Sequence, residues 1–185
     1  MRKIVFFMSV SLDGFIEGPD GDLDWHMVDD EVHTHFNEEL AAMGAFVNGR
    51  ITYDLMLESW PTADTDPWST EPMREFARIW RDTPKIVYSR SRDYTDWNPT
   101  VIREVVPAQV AELKEKAGGD LALVGADIAA SFRRHDLIDE YRLFVHPVVI
   151  GEGKRLFRTR EPKFDLRLAE TRAFGNGVVG LRYTR

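Results

Sequence analysis

A chain of 185 residues with 43% hydrophobic and 30% charged side chains has a globular composition, which excludes a disordered chain and fits one domain able to bury a core. The formal net charge of −7, with no Lys/Arg run to offset it, argues against a nucleic-acid partner, because a phosphate polyanion would be repelled. Without cysteine the chain has no disulfide framework, thiolate metal site or thiol nucleophile, which fits a reducing cytoplasm.

The amino terminus, Met1 to Val10, places two charges before a short apolar run. Asp13-Gly14 follows and no small-x-small cleavage site does, so the run reads as a buried central strand rather than a signal peptide. No window approaches the ~20 apolar residues of a membrane helix, so no membrane partner is expected and the protein is placed in the cytoplasm. Ser11 to Trp25 is a Gly- and Asp-rich loop carrying Phe15, Ile16, Leu23 and Trp25. Two readings fit it: a glycine-hinged lid, or a tight turn whose apolar residues cover the core. Val28, Val32, Phe36, Leu40 and Met43 recur at helical spacing, with Asp29, Asp30 and Glu31 near the helix start.

Ala45-Phe46-Val47 then reads as a short buried strand turning over Asn48-Gly49 into a helix marked by Tyr53, Met56 and Leu57. That turn either offers an anion the first-turn N–H groups, Arg50 and the Thr52 hydroxyl, or is an ordinary connection with Arg50 solvated and Thr52 capping. Ser59 to Thr70 is a polar loop with Trp60 and Trp68, followed by a helix with Met73, Phe76, Ala77 and Trp80 on one face. Lys85 to Tyr88 is a strand running into Ser89-Arg90-Ser91-Arg92, which is either a second anion-friendly turn or a polar surface turn. A strand is predicted over Val101 to Val106 and a helix from Pro107 to Lys116, closed by Gly118-Gly119.

Leu121 to Val124 repeats the strand, turn and helix pattern through Gly125-Ala126, and its small residues permit close backbone approach by a ligand. Leu137 to Ile150 reads as one long strand entering a glycine turn at Gly151 and Gly153. Lys163 to Phe174 and Val178 to Tyr183 form a terminal hairpin around Gly175-Asn176-Gly177. Strands alternating with helices predict an α/β fold: a central, mostly parallel mixed sheet, helices on both faces and an antiparallel C-terminal hairpin. Ligands of such sheets bind beyond the carboxyl ends of the strands, where the turns at Gly49, Ser89 and Gly125 would converge. His33 and His35, two apart on a helix, cannot chelate together, and no metal site is predicted.

Ser11-x-Asp13-Gly14, Asp24-Trp25, Gly49-Arg50-x-Thr52-Tyr53, Ser89-Arg90, Val124-Gly125-Ala126, Leu137-Ile138-Asp139-Glu140 and Pro147-x-x-x-Gly151-x-Gly153-x-x-Leu156-Phe157 occur in this order. Together they resemble the dihydrofolate reductase superfamily, most closely the C-terminal reductase domain of the bifunctional riboflavin-biosynthesis deaminase/reductase and its free-standing relatives. The resemblance covers nearly the whole chain. It implies a single dihydrofolate reductase-like domain over residues 1–185, with the three-layer architecture of that superfamily.

It also implies NADPH as cofactor. By resemblance Gly49, Arg50 and Thr52 bind the cofactor phosphates, Ser89 and Arg90 receive the adenosine 2′-phosphate, and Gly125, Ala126, Asp127 and Ile128 form the third cofactor turn. Val124 departs from the pattern, standing where the family has the first of two glycines. A carboxylate soon after the loop tryptophan serves substrate protonation in the folate-reducing branch, which implies Asp30, with Asp29 beside it, as catalytic and Trp25 as the ring bordering the substrate. The implied substrate is a small heterocycle, 5-amino-6-(5-phosphoribosylamino)uracil or a related pterin-like compound. A homodimer is implied too, and Leu143 to Ile150, apolar on both faces, could be buried between subunits as well as within one. The alternative is a non-catalytic nucleotide-binding protein that retains the fold.

Overall fold

The computed structural model of the chain describes residues 1–97, 99–158, 161 and 163–185. Ile4-Val5-Phe6-Phe7 is apolar at consecutive positions because β1 (Ile4–Ser11) runs through the middle of the sheet and is covered on both faces. The remaining strands are β2 (Phe15–Glu17), β3 (Ala45–Gly49), β4 (Lys85–Tyr88), β5 (Thr100–Ile102), β6 (Leu121–Val124), β7 (Glu140–His146), β8 (Lys154–Arg155), β9 (Arg167–Ala173) and β10 (Val179–Thr184). The helices are α1 (Asp30–Ala41), α2 (Arg50–Ser59), α3 (Glu71–Asp82), α4 (Pro107–Glu115) and α5 (Ala126–Arg133).

The main sheet has the order β5-β4-β3-β6-β1-β7-β10-β9, parallel from β5 to β7, with β10 antiparallel to both of its neighbours. Alternation along β1 splits the core in two. Ile4, Phe6 and Val10 meet Val110 of α4 and Ile128, Ala129 and Phe132 of α5. Val5 and Phe7 meet Val32 and Leu40 of α1, Tyr53 of α2 and Phe76 and Trp80 of α3. The result is a three-layer α/β sandwich, and parallel strands place the turns after β1, β3, β4, β6 and β7 along one edge. Among the described residues no helix is long and apolar enough to cross a membrane.

Several predicted boundaries move: the strand expected over Val101 to Val106 is Thr100–Ile102, and the one expected from Lys163 to Phe174 is Arg167–Ala173. The long strand expected from Leu137 to Ile150 is shorter, since β7 spans Glu140–His146 and Pro147, which has no N–H to donate, follows it. Leu143 and Phe144 are buried within the chain while Val149 is 67% exposed, so the apolar run is largely accounted for without a second subunit. The loop from Ser11 to Trp25 is part strand: β2 pairs antiparallel with β8, and the Leu156 N–H donates to the Gly14 carbonyl. Val28 lies outside α1, because Asp29 is the N-cap and its carboxylate accepts the Val32 N–H at 3.0 Å.

Candidate active site

Gly49 and Gly125 are the N-caps of α2 and α5, and neither helix start has a side-chain cap. In α3 and α4 a proline near the start removes a donor, whereas α2 and α5 keep every first-turn N–H. Their strands, β3 and β6, are hydrogen-bonded neighbours, so the two helix starts lie side by side. A Cβ added to Gly49 would lie 3.4 Å from Ile128 Cβ, and one added to Gly125 would lie 2.5 Å from Thr52 Oγ1. Gly125 also holds φ +111°, a conformation that L side chains rarely adopt. Gly49, Thr52, Gly125, Ala126 and Ile128 are thus brought together on a tightly packed floor at the carboxyl ends of β3 and β6. Two helix dipoles point their positive ends at it.

One carboxylate organises the rim next to this floor. Asp54, one turn beyond Arg50, accepts Arg50 Nη1 at 3.2 Å, Arg92 Nη1 at 3.0 Å and the Tyr94 hydroxyl at 2.7 Å. The Arg92 guanidinium also lies over the Tyr94 ring at 4.9 Å. Burial, reinforced by Asp54, pushes the Tyr94 phenol up to about 12, so it remains a donor at neutral pH. Ser89 is buried at the end of β4, where its hydroxyl accepts the Arg92 N–H at 3.0 Å and its carbonyl accepts Arg103 Nη1 at 2.9 Å. The serine therefore shapes the turn that presents the arginines. Arg90 is exposed on that turn. Arg92 was visible as part of the Ser-Arg alternation, but its pairing with Asp54 spans 38 residues and has no local signal.

Asp127, in the first turn of α5, is held by Arg158 at 2.5 Å and Lys154 at 3.0 Å. Burial raises its carboxyl, but the two cations outweigh burial and hold it below the usual carboxylate value. These bonds bring two basic side chains of the β8 region beside the α5 start. No spacing in the sequence announced them.

The Ser-x-Asp-Gly turn after β1 is a brace. Ser11 Oγ donates to Asp13 at 2.6 Å and accepts the Phe15 N–H at 2.9 Å, and Asp13 accepts the N–H groups of Ile150 and Gly151. The Ser11 hydroxyl is the main cause of the lowered Asp13 carboxyl. With β2 paired to β8, only Gly18 to Val28 remains as irregular chain above the sheet edge.

At the end of that stretch the Trp25 ring packs edge-on against His26 and His146, with centroids 4.1 and 5.4 Å away. Asp30 is exposed at the first position of α1 and its side chain makes no hydrogen bond or ion pair among the described residues, while Asp29 is committed to the cap. Trp60 packs edge-on against Phe76 at 4.6 Å, and Trp68 is 90% exposed. Two open depressions lie elsewhere, one of about 380 Å³ around His35, Glu39, Arg142 and Arg172, the other beside Arg2 and Gly119. In the first, Arg142 is paired with Glu39 at 2.7 Å, and no strand-to-helix turn of the sheet's carboxyl edge lines it.

The profile described as RibD C-terminal domain matches residues 2–180 of this chain. The chain belongs to the RibD C-terminal domain family. This family is an oxidoreductase domain of riboflavin biosynthesis, in agreement with the resemblance carried by the motifs. YyaP of Bacillus subtilis (strain 168), an uncharacterized protein, is 35% identical over 183 residues, 98% of this chain and 94% of its own.

Among solved structures, a Shewanella sp. PV-4 protein aligns with this RibD C-terminal domain at TM-score 0.77 and 24% identity, covering 100% of this chain and 99% of that one. The diaminohydroxyphosphoribosylaminopyrimidine deaminase/5-amino-6-(5-phosphoribosylamino)uracil reductase of Thermotoga maritima aligns at TM-score 0.66 and 15% identity. It covers 99% of this chain and 56% of the larger protein. These likenesses establish the dihydrofolate reductase-like fold of this RibD C-terminal domain, with its mixed sheet and antiparallel C-terminal strands.

Proposed function

We propose that the protein is an NADPH-dependent reductase of a small heterocycle, working as a single domain over residues 1–185. The observation that carries this reading is the pair of adjacent helix starts at Gly49 and Gly125, neither with a side-chain cap, flanked by the Arg50–Asp54–Arg92 cluster. A dinucleotide diphosphate needs close backbone approach and N–H donors, and a 2′-phosphate needs guanidinium groups. The residues present fit both demands. When bound, the cofactor supplies hydride to the substrate.

The chain's own residues bind, orient and exclude water. Gly49, Arg50, Thr52, Gly125, Ala126, Asp127 and Ile128 hold the diphosphate side, and Ser89 and Arg90, now with Arg92, form the 2′-phosphate side. Trp25 borders the substrate and Asp30, open to solvent, supplies the proton that follows from the resemblance. The substrate is a pyrimidine such as 5-amino-6-(5-phosphoribosylamino)uracil or a pterin-like relative, and the working form is a cytoplasmic homodimer. Light scattering that returns the 21.3 kDa of one chain at micromolar concentration would exclude the dimer.

Steady-state oxidation of NADPH in the presence of pyrimidine and pterin acceptors tests the reductase reading. Saturable NADPH binding with no acceptor turned over would favour a nucleotide-binding protein that retains the fold.

A further inference from the structure

Three buried ring nitrogens lie together at the carboxyl end of β7 with no hydrogen-bond partner among the described residues: Trp25 Nε1, His26 Nε2 and His146 Nε2. Buried polar groups are seldom left unpaired, so three neighbours in that state call for a function. His146 is 0% exposed and lies opposite Ser11 in the β1–β7 register, where the sheet ends. Two residues from Phe144, it shares that residue's face of β7, the face covered by α1. Its ring stands 5.4 Å from both His26 and Trp25.

The protonation of His146 follows from its one hydrogen bond. The Met27 N–H donates to His146 Nδ1 at 3.0 Å, so Nδ1 keeps its lone pair and the neutral ring carries its proton on Nε2. Burial, with His26 nearby, pulls this imidazole down to about 4, so it is neutral near pH 7. A protonated Nε2 has no lone pair for a metal ion. It is instead a buried donor, and the Trp25 indole N–H is a second one against the same ring.

Two neutral donors among aromatic rings suit a carbonyl oxygen, whereas a phosphate would call for the cations gathered at the other rim. We propose that Trp25 Nε1–H and His146 Nε2–H bind a ring carbonyl of the oxo-heterocycle that the enzyme reduces, with His26 facing the same carbonyl edge. This rests on the reductase reading and deepens it by naming His146 as a substrate-binding residue. The ligand enters beneath Gly18 to Val28, the irregular stretch that holds Gly21 at φ +80° and leaves Leu23, Met27 and Val28 exposed.

The test uses 5,6-diaminouracil, which carries the pyrimidine ring and its carbonyls, with the protein loaded with NADPH. In protein labelled with 15N at its five tryptophans, the Trp25 indole resonance is assigned through Trp25→Phe. The expected result is a saturable downfield shift of that resonance. His146→Asn keeps an acceptor for the Met27 N–H and lacks the Nε2 donor, so it and Trp25→Phe should each weaken the fragment about tenfold, the worth of one good hydrogen bond. NADPH affinity should stay at the wild-type value in both.

The proposal is overturned if 5,6-diaminouracil does not bind at millimolar concentration. It is equally overturned if the fragment binds while the indole resonance stays still and both variants keep wild-type affinity, the result expected if these nitrogens hold only structural water. Should His146→Asn fail to fold, the wild-type resonance and Trp25→Phe decide. The reductase reading fails separately, by absence of NADPH binding or of acceptor-dependent NADPH oxidation, neither of which the fragment experiment reads.

Discussion

Thr52 and Gly125 meet at the carboxyl ends of β3 and β6, so closely that a Cβ on residue 125 would lie 2.5 Å from the Thr52 hydroxyl. This contact ties the first turn of α2 to the start of α5 and leaves no room for any residue but glycine. Gly125→Ala should therefore destabilise the protein by about 1–3 kcal/mol, from backbone strain at φ +111° together with the clash. It should also weaken NADPH binding, because the clash would displace Thr52 and the start of α5. Urea unfolding and fluorescence titration measure the two effects. A variant as stable as wild type, with unchanged NADPH affinity, would remove this contact from the cofactor site.

Asp54 holds Arg50 and Arg92 from either side, and the three residues set the expected cofactor preference. Arg92→Ala should lower NADPH affinity about tenfold and leave NADH affinity nearly unchanged, since a guanidinium lost from a 2′-phosphate site costs ~1.5–3 kcal/mol, whereas Arg50→Ala, on the diphosphate side, should weaken both cofactors. Asp54→Ala frees both guanidinium groups from their clamp and should shift NADPH more than NADH. Equal affinity of the wild type for the two cofactors would contradict the assignment.

Where the chain is locally punctuated, its sequence was enough to read it. The Asn48-Gly49 and Gly125-Ala126 turns, Pro107 at a helix start and the Gly175-Asn176-Gly177 hairpin all mark boundaries that the structure keeps. The sheet direction followed from strands alternating with helices. What stayed hidden depends on residues far apart. The pairing of Phe15 with Arg155 pins the loop after β1, and the bond from Met27 to His146 spans 119 residues. Asp54 could be paired with Arg50 from their spacing of four, but nothing local joins it to Arg92 or Tyr94. The apolar run from Leu143 was ambiguous because a strand buried within a chain and one buried between chains carry the same residues.

Asp29 and Asp30 are adjacent but have different work. Asp29→Ala removes the only hydrogen-bonded side-chain cap observed among the described helices and should cost about 1 kcal/mol of stability with little change in turnover. Asp30→Asn, at an exposed position with no side-chain hydrogen bond or ion pair among the described residues, should leave the melting temperature nearly unchanged. If Asp30 delivers the proton, turnover of Asp30→Asn should fall most at high pH, where solvent protons are scarce. A pH profile of Asp30→Asn that parallels wild type would take the proton step away from this residue.

His146 should make the native state acid-sensitive in a defined window. Its imidazole is lowered from 6.5 to about 4, chiefly by burial, so the unfolded chain takes up the proton first as the pH falls. Above pH 6.5 the ring is neutral in both states and its full contribution to stability is present. Between 6.5 and about 4 that contribution is lost progressively, and it amounts to about 3 kcal/mol from the size of the shift. His26, lowered by burial and partly restored by Asp22, loses stability in the same direction, so wild type alone does not isolate one ring. The decisive quantity is the difference between wild type and His146→Asn in urea unfolding free energy at pH 7.5 and at pH 4.5. A non-titrating asparagine that still accepts the Met27 N–H should lose less stability over that interval, and equal losses in the two proteins would show that the buried imidazole does not govern the acid response.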